Sequence, residues 1–435
     1  MADEQQALFP EPDDSEVEVE MIFESDPPDW DQIIVEAGSV FTPNHPVNER
    51  ALFAGRIRQV SRLVQAVNQR GQHAILYGER GVGKTSLANV IHEFLSAQVV
   101  VLSPRVNANA GDTFDSVWRK AFNQIDLTRK ADVGTVGFGA QRGSETVSPM
   151  DLVPTDGPLT PDIVRQILVR MSGDAIPIMI FDEFDRLSKR VRAAFADMIK
   201  TLSDHAVECT IVLVGVAETI EQLIESHQSV SRALVQIPIQ RMGLDEIEEI
   251  VDTGFDRLGL EVEASAKRRI VLLSQGLPYY THLVCQHAVI TSAEQRSLRV
   301  TGEIVKRAIG SAIEDMEGTI KRKYHRATTA ARKESLFEDV LLACALAQPD
   351  DLGYFTSKGV VAPLCEITKK NYGIPTFAQH LDEFSSSKRE NVLVKEGSPR
   401  RFRFRFADPL MQPYVVMQGL AKEKITETML ERVGR

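Results

Sequence analysis

No apolar run in the chain approaches the roughly 18 residues that a membrane-spanning helix requires. The first residues are acidic where a secretory leader would be basic and then apolar. These two absences lead us to expect a cytoplasmic protein with no membrane partner. Cysteine is scarce as well. Cys209, Cys285, Cys344 and Cys365 lie far apart with no Cys-x-x-Cys pair, which argues against a disulfide framework or a zinc knuckle and leaves four reduced core thiols. Lysine and arginine are missing altogether from residues 1–36, which hold thirteen carboxylates. The other 399 residues carry all 50 basic side chains against 48 of the 61 acidic ones, so the formal charge of -11 resides in the tail. Low hydrophobicity, high charge and Pro10, Pro12, Pro27 and Pro28 predict that residues 1–36 are a disordered acidic tail. At 43% hydrophobic and 26% charged, the chain has an ordinary globular composition and length for two or three domains.

What is present is sharpest between His73 and Asn89. The apolar run Ala74-Ile75-Leu76-Tyr77 reads as a buried strand, and it breaks into Gly78-Glu79-Arg80-Gly81-Val82-Gly83-Lys84-Thr85-Ser86 before a helical pattern resumes at Leu87. Strand, glycine-rich loop and helix in that order suit a nucleoside triphosphate. The glycines let backbone N–H groups turn inward, Lys84 offers a compact cation to the β- and γ-phosphates, and the Thr85 hydroxyl can ligate Mg²⁺. The helix N-terminus adds its positive dipole end.

A second apolar run, Ile176 to Phe181, ends in Asp182-Glu183. At the C-terminal end of a buried parallel strand these carboxylates come beside the phosphate loop. There Asp182 can hold Mg²⁺ through water, and Glu183 can polarise an attacking water. Further apolar runs at Val99–Leu102, Thr210–Val216 and Val235–Ile239 alternate with helical patterns, which predicts a five-stranded parallel sheet covered on both faces, an α/β fold. Between Asp126 and Thr160 the pattern dissolves into Gly, Ser, Thr and Pro, as in a mobile insertion. Thr160-Pro161 then opens a helix.

From Leu244 the signal is helical only, with helices expected over 244–258, 264–274, 279–294 and 302–328. Residues 335–435 hold three helical patterns, two β-like runs (391–395 and 401–406) and a closing helix from Pro409. Three helices followed by a two-stranded wing is the winged-helix order. The expected organisation is therefore a tail (1–36), a phosphate-loop core (37–240), a helical lid (241–330) and a winged-helix domain (335–435).

Taken together, residues 50–435 resemble the AAA+ ATPases, and within them the branch of archaeal and eukaryotic replication initiators, which carry a helical lid and a C-terminal winged helix. The resemblance implies ATP and Mg²⁺ as cofactors, slow ATP hydrolysis, and assembly with like or related ATPase subunits. Ser231-Arg232 sits where that family keeps its arginine finger, so Arg232 would complete a neighbouring subunit's site. The segment Leu52-Phe53-Ala54-Gly55-Arg56 looks like the one that lies against the adenine. Two departures stand out. Where the family usually shows a polar residue after the fourth strand, this chain has Gly215-Val216-Ala217, with Glu218 or Thr219 as the nearest substitutes. The lid motif Gly276-Leu277-Pro278 is similar to the Gly-x-Pro of signalling (STAND-type) ATPases, in which the proline touches the base.

In the wing, Arg401, Arg403 and Arg405 alternate with Phe402, Phe404 and Phe406, so period-2 geometry sends the arginines to one face and the phenylalanines to the core. That row suits phosphate contact, making DNA the expected partner. Lys321, Arg322, Lys323, Arg326, Arg332 and Lys333 form a second basic cluster, either a phosphate-contacting surface or a solvated helix face. His282 and His287 read as packing or surface residues rather than metal ligands. The acidic tail is either solvated or a docking segment, with Trp30 and Ile33-Ile34-Val35 as anchor, that competes with DNA for basic surface. Three readings follow. The first is an ATPase coupling ATP to DNA binding or complex assembly; the others are a signalling or defence switch whose winged helix meets protein, and a regulator of transposition.

Overall fold

The structure is a computed structural model, and it describes residues 28–43, 55–95, 101–125, 127–131, 143–172, 176–217, 220–224, 228–329, 335–350, 353–399 and 401–433. Its centre is a parallel sheet of β1 (His73–Gly78), β2 (Val101–Leu102), β3 (Arg105–Asn107), β4 (Ile176–Asp182), β5 (Thr210–Val216) and β6 (Leu234–Pro238). Both β2 and β3 lie on β4, and β5, β1 and β6 follow in that order. All five expected strand positions are filled. The second is interrupted at Ser103-Pro104, where proline has no N–H to donate to the ladder, and resumes as β3.

Successive strand residues supply two different cores. Ala74, Leu76, Ile178, Ile180, Val212 and Val214 face one side, while Ile75, Met179, Phe181, Ile211 and Leu213 face the other. A sheet buried on both faces explains why these strands read as unbroken apolar runs. The second core is aromatic: Trp118, fully buried, has its ring centroid 5.0 Å from Phe181, 5.5 Å from Phe122 and 5.9 Å from Phe195. The first core continues without a break from the sheet through the lid into the C-terminal unit, where Leu410, Met411 and Tyr414 belong to the same cluster.

The lid helices are Leu244–Arg257, Ala264–Ser274, Pro278–Glu294, Gly302–Asp315 and Gly318–Thr328. The single helix expected over 302–328 is two. Met316 and Glu317 leave the helical region, and the Met316 side chain is buried in the core. The C-terminal unit contains helices Phe337–Ala345, Ser357–Thr368 and Ile374–Phe384, then strands Leu393–Glu396 and Arg403–Phe406, and closes with helices Met411–Ala421 and Glu427–Val433. A third strand, Phe355–Thr356, pairs antiparallel with Arg403–Phe406. Two residues leave no period to detect in a sequence.

The acidic tail was expected to stay disordered to residue 36, but Trp30–Val40 is a helix. Asp29 caps it by accepting from Gln32 N at 3.0 Å. Its buried edge is Ala37 and Val40, followed by Phe41, whose ring lies 5.3 Å from Phe255 and 6.0 Å from His282. Thr42 N donates to His282 Nδ1 at 3.3 Å. The helix is thus fixed to the lid by residues 37–42; of the expected anchor, Ile33 packs half-buried against the same core, while Val35 is 76% exposed. The rest of the tail, residues 1–27, and most of the expected linker, from residue 44, lie outside the described residues. The segment after Asp126 also differs from a mobile insertion: Leu127–Ala131 pairs with Gly143–Val147, and Pro149–Leu152 forms a 3-10 turn. Thr160 caps the next helix with Pro161 at its first position, as expected. No described helix is long and apolar enough to cross a membrane.

Because Trp118 has four aromatic neighbours and no exposure, Trp118→Ala should lower unfolding free energy by about 3–5 kcal/mol, and Val35→Ala by under about 0.5 kcal/mol. Urea unfolding followed by circular dichroism measures both.

Candidate nucleotide-binding site

The phosphate loop leaves β1 through a place with no room for a side chain. Gly78 has φ 155, and a Cβ on it would sit 2.1 Å from the Ile239 carbonyl oxygen. Gly81 has φ 85, and a Cβ there would meet Leu410 at 2.8 Å. In this loop the Lys84 ammonium donates to its own backbone, to Gly78 O at 3.1 Å and Glu79 O at 2.6 Å. Burial pushes it down to about 8, against the pull of Asp182, Asp185 and Glu79. The Val82 side chain is in the core, so Val82 can serve a ligand only through its backbone.

The carboxylates expected from β4 arrive beside this loop. Asp182, 5% exposed, accepts from Thr85 Oγ1 at 2.8 Å through Oδ2 and from Glu183 N at 2.8 Å through Oδ1. A hydroxyl and a carboxylate in contact are the hard oxygen donors that suit Mg²⁺. Among the described residues no group of three or more His, Cys, Asp or Glu could hold a metal ion, so Mg²⁺ here would draw the rest of its shell from phosphate oxygens and water. Glu183 sits at φ 54, a left-handed conformation uncommon outside glycine. Its half-exposed carboxylate accepts from Arg186 Nη1 at 2.6 Å.

Neighbouring elements grip the loop from three sides. Arg56, 4% exposed, donates to the carbonyls of Val82 and Gln240, while its backbone N–H donates to Glu246 Oε1. Gly55 N donates to Glu249 Oε2. Gly55 and Arg56 therefore tie the loop to the lid helix Leu244–Arg257; residues 52–54 of the expected adenine segment lie outside the described residues. Pro278, at the first position of its helix, comes within 4.0 Å of a Cβ built on Gly83. The third side is the C-terminal unit. Arg80 pairs with Asp408 at 3.6 Å and with lid Glu317 at 3.3 Å. Arg241 donates through Nε to Glu79 at 3.0 Å and through Nη1 to Gln412 Oε1 at 3.0 Å. Tyr280 donates to the Leu410 carbonyl.

Arg105 donates to Asn89 at 2.6 Å and lies 3.5 Å from Asp182, and it is one of several residues at the loop that escaped the sequence reading. Asp185 accepts from Val216 N at 2.8 Å, bringing a carboxylate to the strand end where Glu218 or Thr219 was sought; those two lie outside the described residues. The Asp182-x-x-Asp185 spacing was the available signal. Asn89, Arg105 and Arg241 gave none, being set by tertiary contacts.

Arg232 does not join the cluster. It precedes β6, and its carbonyl accepts from Gln72 at the start of β1, the opposite end of that strand from the loop. Of the wing residues, Phe404 and Phe406 are buried as alternation predicts. The arginines are less free than expected: Arg403 pairs with Glu396 at 2.6 Å and Asp350 at 3.5 Å and lies over Tyr354. Arg405 is half-buried beside the same ring, and only Arg401 is exposed. His282 and His287 are largely buried, and burial pushes His282 down to about 4, in keeping with packing roles.

Residues 67–224 match the family model described as AAA domain. This stretch of the chain carries an AAA domain. Among curated proteins none matches. Among solved structures, the Walker-type ATPase PABY2304 of Pyrococcus abyssi is 15% identical, with 87% of this chain and 99% of that chain covered and a TM-score of 0.51, which shows a shared fold. The ORC2 protein of Aeropyrum pernix, solved as ADPNP–ADP complexes, is 14% identical over 90% of this chain and 97% of that chain, with a TM-score of 0.48.

The Lys84 ammonium gives the loop a pH signature. Burial lowers its pKa to about 8. A bound triphosphate stabilises the charged form, so the pKa rises on binding. Affinity is then level below pH 8 and falls as pH rises through it, by about tenfold at pH 9 relative to pH 7. Equilibrium binding of a fluorescent ATP analogue checks this, and a flat profile from pH 7 to 9 contradicts it.

Proposed function

We propose that the protein is an AAA+ switch that couples ATP binding and slow hydrolysis to DNA binding by its C-terminal unit, read as a winged helix. The observation that carries the coupling is the seat of Asp408–Gln412 on phosphate-loop residues Glu79–Gly81. A ligand entering the loop must reorganise charges that the C-terminal unit also holds. In this reading Gly78–Ser86 wrap the phosphates, Pro278 borders the base, and Gly55 and Arg56 brace the loop from behind. Thr85 and Asp182 would hold Mg²⁺, which supplies charge neutralisation on the phosphates. Glu183 orients water once its carboxylate leaves Arg186, a half-exposed pair that is weak enough to exchange.

DNA as the partner is supported by a basic surface wider than the wing. Helix Gly318–Thr328 presents Arg322 and Arg326, and Arg389 donates to the carbonyls of Arg326, Ala327 and Thr329 at its end. This brings exposed Lys388 next to the helix cluster. Neighbouring Glu390 offsets part of the charge. One observation favours the rival reading, a signalling switch whose C-terminal unit meets protein: Arg403 is already matched by two carboxylates.

Salt-dependent DNA binding with and without ATP tests the coupling. Affinity should fall steeply with salt and change at least about fivefold with ATP. Asp408→Ala should shrink the ATP effect while leaving ATP affinity within about threefold. Absence of salt-dependent binding rejects DNA and leaves the protein-facing switch.

Arg232 lies at the far end of β1 from the loop, and in this reading it serves a neighbour's site. Specific ATPase activity should therefore rise with protein concentration, and Arg232→Ala should lower it by on the order of 10³-fold. Glu183→Gln should keep ATP binding and stop turnover. Activity that is flat across dilution, or survives in either variant, counts against these roles.

A further inference from the structure

We propose that Arg105 is a positioning residue that stands in for the divalent cation at Asp182, keeping that carboxylate arranged while the site is empty and holding down its affinity for metal alone. The inference rests on the nucleotide reading of the loop but makes its own demand.

Three features of Arg105 lead to it. β3 runs beside β4 in a register that pairs Arg105 with Ile180 and Asn107 with Asp182, so the Arg105 side chain rises toward the strand end where Asp182 lies. Its Nη2 is 3.5 Å from Asp182 Oδ2, the oxygen that also accepts from Thr85. The guanidinium does not close on the carboxylate. Asn89, one turn after Thr85 on the phosphate-loop helix, accepts from Nη1 at 2.6 Å and holds it off, and the buried Nε finds no acceptor. A pair built for stability would form the bidentate fork that arginine favours and satisfy every donor. Here a cation is held close to the carboxylate but short of hydrogen-bond length, leaving the metal-facing side of Asp182 to Thr85.

The electrostatics give this arrangement a consequence. A carboxylate 5% exposed is destabilised unless cations lie nearby; Lys84 interacts with it from the loop, and Arg105 adds a second positive charge from β3. The same fixed charge repels an arriving divalent ion, and in a partly buried site that repulsion is screened far less than in water. Metal alone then binds weakly. Metal that arrives with nucleotide brings phosphate charge that outweighs Arg105, so the two ligands enter together.

The experiment has two arms on the full chain. In the first, Mn²⁺ without nucleotide is titrated by electron paramagnetic resonance; in the second, the Mg²⁺ midpoint for binding a fluorescent ATP analogue is measured. Arg105→Met should tighten Mn²⁺ binding and lower the Mg²⁺ midpoint by at least about tenfold each. Arg105→Lys, which keeps the charge, should stay within about threefold of the parent. Asn89→Ala, which frees the guanidinium to close on Asp182 without removing it, should weaken Mn²⁺ binding by no less than about threefold and provides the test if Arg105→Met does not fold. Unchanged or weaker Mn²⁺ binding in Arg105→Met, or unchanged or tighter binding in Asn89→Ala, overturns the proposal. Failure of the parent to bind the nucleotide analogue overturns the reading of the loop instead, and the nucleotide-free arm still decides the role of Arg105.

Discussion

The hydrogen bond from Ile239 N to Tyr77 O, 2.7 Å long, is the constraint on which most of the architecture depends. It carries the edge of the sheet one residue past β6, so the chain leaves the sheet alongside the phosphate loop. That close approach excludes any side chain at Gly78. It also delivers the next three residues to fixed tasks. The Gln240 carbonyl accepts from Arg56, the Arg241 guanidinium meets Glu79, and Met242 N donates to Gly276 O at the turn before Pro278. The lid is hung from the sheet at this seam, and its proline reaches the loop for that reason.

Charge around the loop is managed by burial as much as by pairing. Burial lowers the pKa of Arg56 against the pull of Glu246, and it lowers that of Lys84 against three carboxylates. Both cations donate hydrogen bonds to backbone carbonyls of the loop. Such carbonyls are weaker partners than phosphate oxygens, which leaves the site predisposed to exchange them for an anionic ligand.

The sheet, the phosphate loop and Asp182-Glu183 were legible in the sequence because each is a local signal: continuous apolar strands, a fixed glycine spacing, and acids at a strand end. What was not legible is non-local. Arg105 and Asn89 meet only when β3 and the phosphate-loop helix pack, and Arg241 joins Glu79 to Gln412 across 162 and 171 residues. The N-terminal helix was missed because its charge and prolines outweighed a short apolar edge that has meaning only against the lid. Alternation holds within Arg403–Phe406, where Phe404 and Phe406 are buried, while Phe402, one residue before that strand, is only half-buried. The wing arginines were overestimated because the opposing carboxylates, Glu396 and Asp350, come from another strand and another loop.

The shared core between sheet, lid and C-terminal unit bears on how the protein is made. Tyr280 reaches its partner carbonyl 130 residues further along, and the loop formed by residues 78–86 is covered by residues 408–412. During synthesis the amino-terminal sheet can collapse early, as domains generally do. Its phosphate loop stays uncovered until residues 408–412 have left the ribosome. Lid helices that bury their apolar faces against the C-terminal unit must wait exposed for the same interval. A chain released early would therefore present an open loop and a bare lid together, a species suited to capture by chaperones and proteases.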